Sequence, residues 1–256
     1  MIKKIYKKIF SERRRIKNIL IYRKITSIFY RGNKLTCNCC GKSFRKFKKR
    51  KTKIAERKDV ECPYCGSVER TRNLLFYIQN ETNILNDKIK LLHFAPEYCL
   101  QPIFKKAKNL ERLTADINPN YADNQIDITN ITFPDNSFDY IICSHVLGHV
   151  PDEKKGITEM KRVLKPNGTA LILTLIETKN QETLENKEID TPEKRLLYYS
   201  EPDLMRLHGL DFKQRLIDGG FQVSDIDYRF KQGNEIYQKY ALGDGRREII
   251  FRCTKK

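Results

Sequence analysis

Short apolar segments alternate with amphipathic ones over more than half of the sequence, and this alternation restricts the fold more than any other feature. Four apolar segments have the length and composition of buried strands: 89–94, 112–116, 135–145 and 169–176. Segments with helical spacing of apolar residues occur at 69–78, 100–108 and 153–164. Strands separated by helices at this spacing predict a parallel sheet that is covered on both faces. We therefore expect an α/β fold.

The cysteines predict a metal site ahead of that sheet. Cys37 and Cys40 form one Cys-x-x-Cys pair, Cys62 and Cys65 form a second, and a glycine follows each pair. This spacing lets backbone amides turn around the thiolates and places four ligands tetrahedrally around one Zn²⁺. Cys39 is a spare cysteine that could compete as a ligand.

A closed site of four cysteines is far more often structural than catalytic. We therefore predict that zinc holds together a small module over residues 34–68, which is too short to build its own core. The alternative is that the cationic stretch between the pairs, at 46–53, recognises a substrate.

The charge is divided unevenly along the chain. The formal net charge is +18, yet residues 1–58 hold 22 Lys and Arg against Glu12 and Glu56, while residues 59–256 hold 28 basic and 30 acidic side chains. The basic character therefore belongs to the N-terminal part, and a polyanion is a candidate partner of residues 1–58.

Residues 1–33 are predicted to form a basic arm. Apolar residues recur among its cations at spacings compatible with an amphipathic helix: Ile2, Ile5, Ile9, Ile16, Leu20 and Ile28. Three interpretations stay open, namely a solvated arm, contact with an anionic membrane surface, and contact with nucleic-acid phosphates.

The sequence predicts a cytoplasmic protein without a transmembrane segment. No apolar run approaches the roughly 18 residues that would span a bilayer, and the N-terminus lacks the apolar core of a secretory signal. In a reducing compartment, cysteines at this spacing are expected to bind metal rather than to form disulfides.

Six ordered segments resemble the class I S-adenosylmethionine-dependent methyltransferases of the type 11 group: 91–97, 114–116, 126–127, 135–139, 145–149 and 162–168. With the cysteine pairs in front, the whole arrangement is similar to a subgroup with an N-terminal zinc ribbon. The resemblance implies a Rossmann-like, seven-stranded sheet over residues 69–256, in which the last strand runs antiparallel. The two closing segments 221–228 and 248–253 agree with that sheet, and 177–208 is a candidate lid over the acceptor site.

The resemblance also implies which residues bind the cofactor, S-adenosyl-L-methionine. In a parallel α/β sheet the ligand lies beyond the carboxyl ends of the strands. The cofactor-binding candidates are His93, Ala95, Glu97, Asp116, Ile117, Asp127, Ile128 and Cys143.

Four of the site residues have a specific expected role. Asp116 is expected to accept the ribose hydroxyls, and Asp127, beside Ile128, to bind the adenine amino group. The simpler alternative is a solvated turn carboxylate for Asp116 and a helix cap for Asp127. Glu97 is a candidate partner of the cofactor's α-amino group, and His145 is the candidate base that removes a proton from an oxygen or nitrogen acceptor.

Two departures from the family pattern leave a second function open. Ala95-Pro96-Glu97 replaces the usual Gly-x-Gly, although proline donates no amide and alanine does not readily adopt positive φ. Gly148 stands where related sequences commonly have an acid. The expected function is methyl transfer to a small-molecule, saccharide or macromolecular acceptor. The alternative is a non-catalytic protein on a degenerate methyltransferase fold that binds an anionic partner, RNA or a membrane surface.

Overall fold

A computed structural model of the protein describes residues 10–51 and 56–256. The predictions for Ile2, Ile5 and Ile9, and for residues 52–53 of the cationic stretch, lie outside these ranges. Within them, no helix has both the length and the apolar content needed to cross a membrane.

The N-terminal part consists of one helix and two small antiparallel strand pairs. Helix α1 spans Glu12–Thr26 and continues into a 3-10 turn, Ser27–Tyr30. Strands β1 (Arg31–Thr36) and β2 (Ser43–Phe44) pair with each other, as do β3 (Lys48–Lys51) and β4 (Glu56–Glu61). Strand β1 begins at Arg31, shortly before the predicted start of the zinc module at residue 34.

Seven further strands form one mixed sheet: β5 (Ile89–Phe94), β6 (Leu110–Asp116), β7 (Asn124–Gln125), β8 (Phe138–Ser144), β9 (Leu164–Leu173), β10 (Gln222–Ile226) and β11 (Ile250–Thr254). Their order across the sheet is β10-β11-β9-β8-β5-β6-β7. Strands β5 to β9 are parallel, whereas β11 is inserted between β9 and β10 and is antiparallel to both. The predicted seven-stranded sheet with an antiparallel last strand is therefore confirmed.

The helices of this part are α2 (Glu69–Glu81), α3 (Gln101–Lys106), α4 (Glu153–Val163), α5 (Pro192–Tyr198), α6 (Phe212–Asp218) and α7 (Asn234–Tyr240). Helix α4 shows why such a segment is helical. The side chain of Asp152 caps its first turn by accepting a hydrogen bond from the Lys155 amide, and Ile157, Met160 and Val163 recur on one buried face.

The sheet separates two apolar clusters because side chains alternate across each strand. On β8, Ile141 and Cys143 face the cluster that contains α4 and α6, while Ile142 faces the cluster that contains α2. Phe44 and Phe47 of the N-terminal part belong to the α2 cluster as well. The small module therefore shares its core with the larger sheet.

Helix α1 is fixed to the loop that follows β6. The carboxylate of Glu12 accepts hydrogen bonds from Asn118, Asn120 and Tyr121. At the other end of the helix, Arg23 forms an ion pair with Glu61 of β4. The described part of the predicted arm is thus a docked helix.

Candidate cofactor cavity and four-cysteine cluster

A cavity of about 440 Å³ lies at the carboxyl ends of β5, β6 and β8. This edge is where a parallel α/β sheet binds ligands, and the volume lies within the range typical of small-molecule sites. Six predicted site residues line the cavity: Ala95, Asp116, Ile117, Asp127, Ile128 and His145. Residues that follow three different strands therefore meet at one place, as expected from the motif order.

Two of the acids that line the cavity, Asp116 and Asp127, each use one carboxylate oxygen to hold a turn. Asp116 Oδ1 accepts a hydrogen bond from the amide of Asn118 at 2.8 Å, and Asp127 Oδ1 accepts from the amide and hydroxyl of Thr129 at 2.8 and 2.9 Å. Within the described residues, the Oδ2 atoms of both acids have no hydrogen-bond partner. Burial raises the pKa of Asp116. A ligand that donates a hydrogen bond to the carboxylate would lower this pKa again.

The backbone at the ends of β5 and β8 is left-handed. Ala95 has φ of 44° and His145 has φ of 56°. The amide of Ala95 donates to the carbonyl of Ala115 and that of His145 to the carbonyl of Leu173, so neighbouring strands hold both residues in place. Alanine thus adopts here the conformation that glycine usually supplies, contrary to the sequence-based argument. Strained residues of this kind cluster at functional sites.

His145 is held in its neutral form. Burial, together with the positive charge of Arg70, keeps its pKa well below the usual range. Its Nε2 lies 3.4 Å from the carbonyl oxygen of Arg247. The imidazole at the cavity wall therefore has a ring nitrogen with a free lone pair at physiological pH.

Three cofactor-binding candidates lie outside the cavity lining. His93 is completely buried, and its Nε2 lies 2.8 Å from Oε2 of Glu97. Glu97 lines a separate cavity beside α1, and Cys143 is buried within the sheet, where burial raises its pKa. Their part in cofactor binding stays a prediction.

The segment predicted as a lid is fixed against the loop that follows β8. The buried guanidinium of Arg206 donates to the carbonyls of Leu147, Val150 and Pro151 at 2.6–3.0 Å. Asp203 of the same segment lines the cavity, with Oδ2 3.5 Å from Nδ1 of His149. Sequence reasoning missed Asp203, because no motif or spacing connects it with the strand ends.

Gly148 lies beneath this segment. Its carbonyl accepts a hydrogen bond from the amide of Met205, and a Cβ at this position would lie 2.9 Å from Cδ2 of Leu204. An acidic side chain here would displace Leu204. The departure from the family pattern thus has a packing reason.

The four predicted metal ligands form one cluster. The side-chain sulfurs of Cys37, Cys40, Cys62 and Cys65 all lie within 4.8 Å of one another. Cys37 Sγ is 3.5 Å from Cys65 Sγ, and Cys40 Sγ is 3.8 Å from Cys62 Sγ. Four thiolates at about 2.3 Å from a tetrahedral Zn²⁺ would be about 3.8 Å apart, so the cluster fits zinc.

Both cysteine pairs have the same turn. The amide of Gly41 donates to the carbonyl of Cys37 and that of Gly66 to the carbonyl of Cys62. The two glycines have φ of 70° and 78°, a conformation in which a side chain would be strained. The glycine after each pair is therefore required by the turn, and this was readable from the sequence.

Comparisons with known proteins agree with this fold. Residues 102–172 match the family described as a methyltransferase domain, a range that contains Asp116, Asp127 and His145. A protein named "Probable methyltransferase ltbC" from Aspergillus luteorubrus is 31% identical over 106 residues, which cover 40% of this chain and 31% of that protein. The ubiquinone/menaquinone biosynthesis C-methyltransferase UbiE of Cellvibrio japonicus is 38% identical over 78 residues, 30% of each chain.

The chain therefore spans about a third of the length of these curated relatives. Among solved structures, the YcgJ protein from Bacillus subtilis is 16% identical, with a TM-score of 0.47 over 72% of this chain and 97% of that one. The strand order and the matched segment together define a protein of the class I methyltransferase fold. Residues 102–172 in the centre of this fold are similar to the methyltransferase domains of that family.

Proposed function

We propose that the protein transfers a methyl group from S-adenosylmethionine to an oxygen or nitrogen atom of an acceptor. The observation that carries the proposal is the meeting of Asp116, Asp127 and His145 in one cavity at the carboxyl edge of the sheet. All three residues lie within the segment that matches the methyltransferase domain family, residues 102–172.

Different residues of the cavity bind different parts of the cofactor. In this proposal the unpaired Oδ2 of Asp116 accepts a hydrogen bond from a ribose hydroxyl, and that of Asp127 accepts one from the adenine amino group. Ile117 and Ile128 supply apolar walls for the base. When bound, S-adenosylmethionine supplies the sulfonium methyl group.

His145 is the proposed base. Methyl transfer is an in-line displacement in which positioning supplies most of the acceleration, and a base need only take the proton of the acceptor. The low pKa of His145 keeps its imidazole neutral, and its position at the cavity wall, rather than its basicity, supports this role. The nearby His149 and Asp203 belong to the loop and lid that close this side of the cavity.

We also propose that Cys37, Cys40, Cys62 and Cys65 hold a structural Zn²⁺. All four ligand positions are taken by protein thiolates, which leaves no open coordination position for a substrate or water. The shared apolar core between this module and α2 supports a structural role.

Calorimetric titration of the full-length, zinc-loaded protein with S-adenosylmethionine and with its demethylated product tests the proposal. One-to-one binding is expected, and Asp116→Asn should weaken it about tenfold or more, because a charge-assisted hydrogen bond is lost. Asp135→Asn is the matched control, since that exposed acid pairs with Arg162 and does not line the cavity.

Absence of binding by the folded, zinc-loaded protein would contradict the proposal and favour the non-catalytic alternative. Where binding is found, incubating the protein and a labelled methyl donor with fractionated cell extract identifies the acceptor.

A further inference from the structure

Helix α1 and the turn after it present an apolar stripe to solvent. Ile21, Tyr22, Ile25, Ile28 and Phe29 are all more than half exposed, Ile25 by 66% and Phe29 by 71%. Their spacing of one, four, seven and eight residues from Ile21 places them on one face. The residues that turn toward the rest of the protein, among them Ile16 and Leu20, lie on the opposite face.

The stripe lies in the most basic part of the chain. Residues 10–51 contain fifteen Lys and Arg and a single acid, Glu12, whose carboxylate is bound by the loop after β6. Exposed cations stand at both ends of the stripe, Arg14 before it and Arg31 and Lys34 after it. None of these three forms an ion pair within the described residues.

We propose that this face of α1 binds an anionic membrane surface, with the helix lying in the plane of the lipid headgroups. An exposed row of isoleucines and aromatic residues flanked by arginine and lysine is the pattern that enters the headgroup boundary, where the apolar side chains reach the acyl chains and the cations bind lipid phosphates. The positive charge around the stripe is the reason to expect anionic rather than neutral lipids.

The same observations argue against two other partners. Nucleic-acid phosphates would be bound by the cations alone and would leave the apolar stripe exposed to water. A second copy of the chain would bring two strongly positive surfaces together, which is unfavourable. An anionic bilayer satisfies both the charge and the apolar side chains.

The N-terminal end of α1, away from the apolar stripe, is bound by the loop that borders the cofactor cavity. Glu12 of α1 is bound by Asn118 and Tyr121, which follow the cavity residues Asp116 and Ile117. The membrane proposal itself does not depend on methyl transfer.

The chain contains no tryptophan, so a single introduced one reports on its own surroundings. Phe29→Trp places the probe on the stripe, and Leu197→Trp places it at an equally exposed position on α5, 71% exposed. With vesicles of phosphatidylcholine and phosphatidylglycerol, the emission of Phe29→Trp should shift to shorter wavelength while that of Leu197→Trp stays unchanged. Vesicles of phosphatidylcholine alone should give a much smaller shift.

Cosedimentation of the full chain with the same vesicles gives an independent measurement. The double variant Ile21→Ser/Ile25→Ser should bind about tenfold or more weakly, because apolar area is lost while every charge is kept. Equal binding by this variant overturns the proposal. So does binding of a labelled single-stranded RNA without vesicle binding, or a dimer of the wild type that Ile25→Ser dissociates.

Discussion

Nε of the buried Arg72 side chain donates a 2.7 Å hydrogen bond to the carbonyl of Tyr240, which joins the first turns of α2 to the end of α7. The same guanidinium donates to the carbonyls of Ala241, Val60 and Ser67 at 2.7–3.0 Å. Val60 belongs to β4 and Ser67 follows the second cysteine pair. One side chain therefore connects the four-cysteine module with the C-terminal part of the sheet domain.

Arg72→Ala should lower the free energy of unfolding by about 3 kcal/mol or more, because two buried and two part-buried carbonyls lose their donor. Urea unfolding followed by circular dichroism measures the change. Arg14→Ala is the control, since that side chain is exposed and should change stability by less than about 0.5 kcal/mol. Similar stabilities of the two variants would show that the module does not depend on Arg72.

Zinc should stabilise the whole protein rather than the module alone, because the module shares the apolar cluster of α2. Cys40→Ser removes one of the four clustered sulfurs and should abolish the stoichiometric zinc measured by mass spectrometry of metals. It should also lower the melting temperature of the single unfolding transition.

Cys39→Ser is the matched control in the same segment. Cys39 is buried but is not a member of the four-sulfur cluster. This variant should keep one zinc per chain. Loss of zinc from both variants would contradict the proposed ligand set.

The sequence was most informative where the physics is local. The clustering of the cysteines follows from their spacing and from the glycine after each pair, and strand β5 was predicted with its observed bounds, Ile89–Phe94. The meeting of Asp116 with His145 followed from a rule of the fold, because parallel strands end at the same edge.

The sequence was least informative where distant segments meet. Nothing near Arg72 indicates a partner at Tyr240, and nothing near His149 indicates Asp203, since contacts of this kind leave no spacing signal. Helix α7 was not predicted. Its seven residues are too few for the apolar side chains among them to show a helical period. The positive φ of Ala95 was not predicted either, because the residue type disfavours it.

Glu248 should make stability depend on pH near neutrality. Burial, with the charge of Glu69, raises its pKa from 4.5 to about 7. Because the folded protein holds this proton more tightly than the unfolded chain, the stabilising contribution is complete below pH 4.5 and is lost as the pH rises through 7. The difference amounts to at most about 3 kcal/mol.

Urea unfolding between pH 5 and 8.5 measures this contribution. The wild type should lose stability relative to Glu248→Gln as the pH rises, whereas Glu235→Gln, at an exposed position of α7, should stay parallel to the wild type. A constant difference between wild type and Glu248→Gln at every pH would show that Glu248 does not titrate in this range.

Replacing Ala95, which has a positive φ, with glycine should not lower stability in the way that replacing an ordinary alanine does. Ala95→Gly relieves a conformation that costs alanine about 1 kcal/mol, which offsets the greater freedom of glycine in the unfolded chain. Stability should therefore change little or rise, and binding of S-adenosylmethionine should be kept. Ala107 follows α3 with φ of −75° and is the control; Ala107→Gly should cost about 0.5–1 kcal/mol.

Valine at the two positions completes the comparison. A β-branched residue at positive φ is a genuine outlier, so Ala95→Val should destabilise the protein by more than about 1 kcal/mol and weaken cofactor binding, whereas Ala107→Val, with φ in the allowed range, should be milder. Unfolding and calorimetric titration of all four variants test this ordering. If Ala95→Gly were as destabilising as Ala107→Gly, the loop after β5 would not hold the strained conformation, and its place in the cofactor cavity would need another explanation.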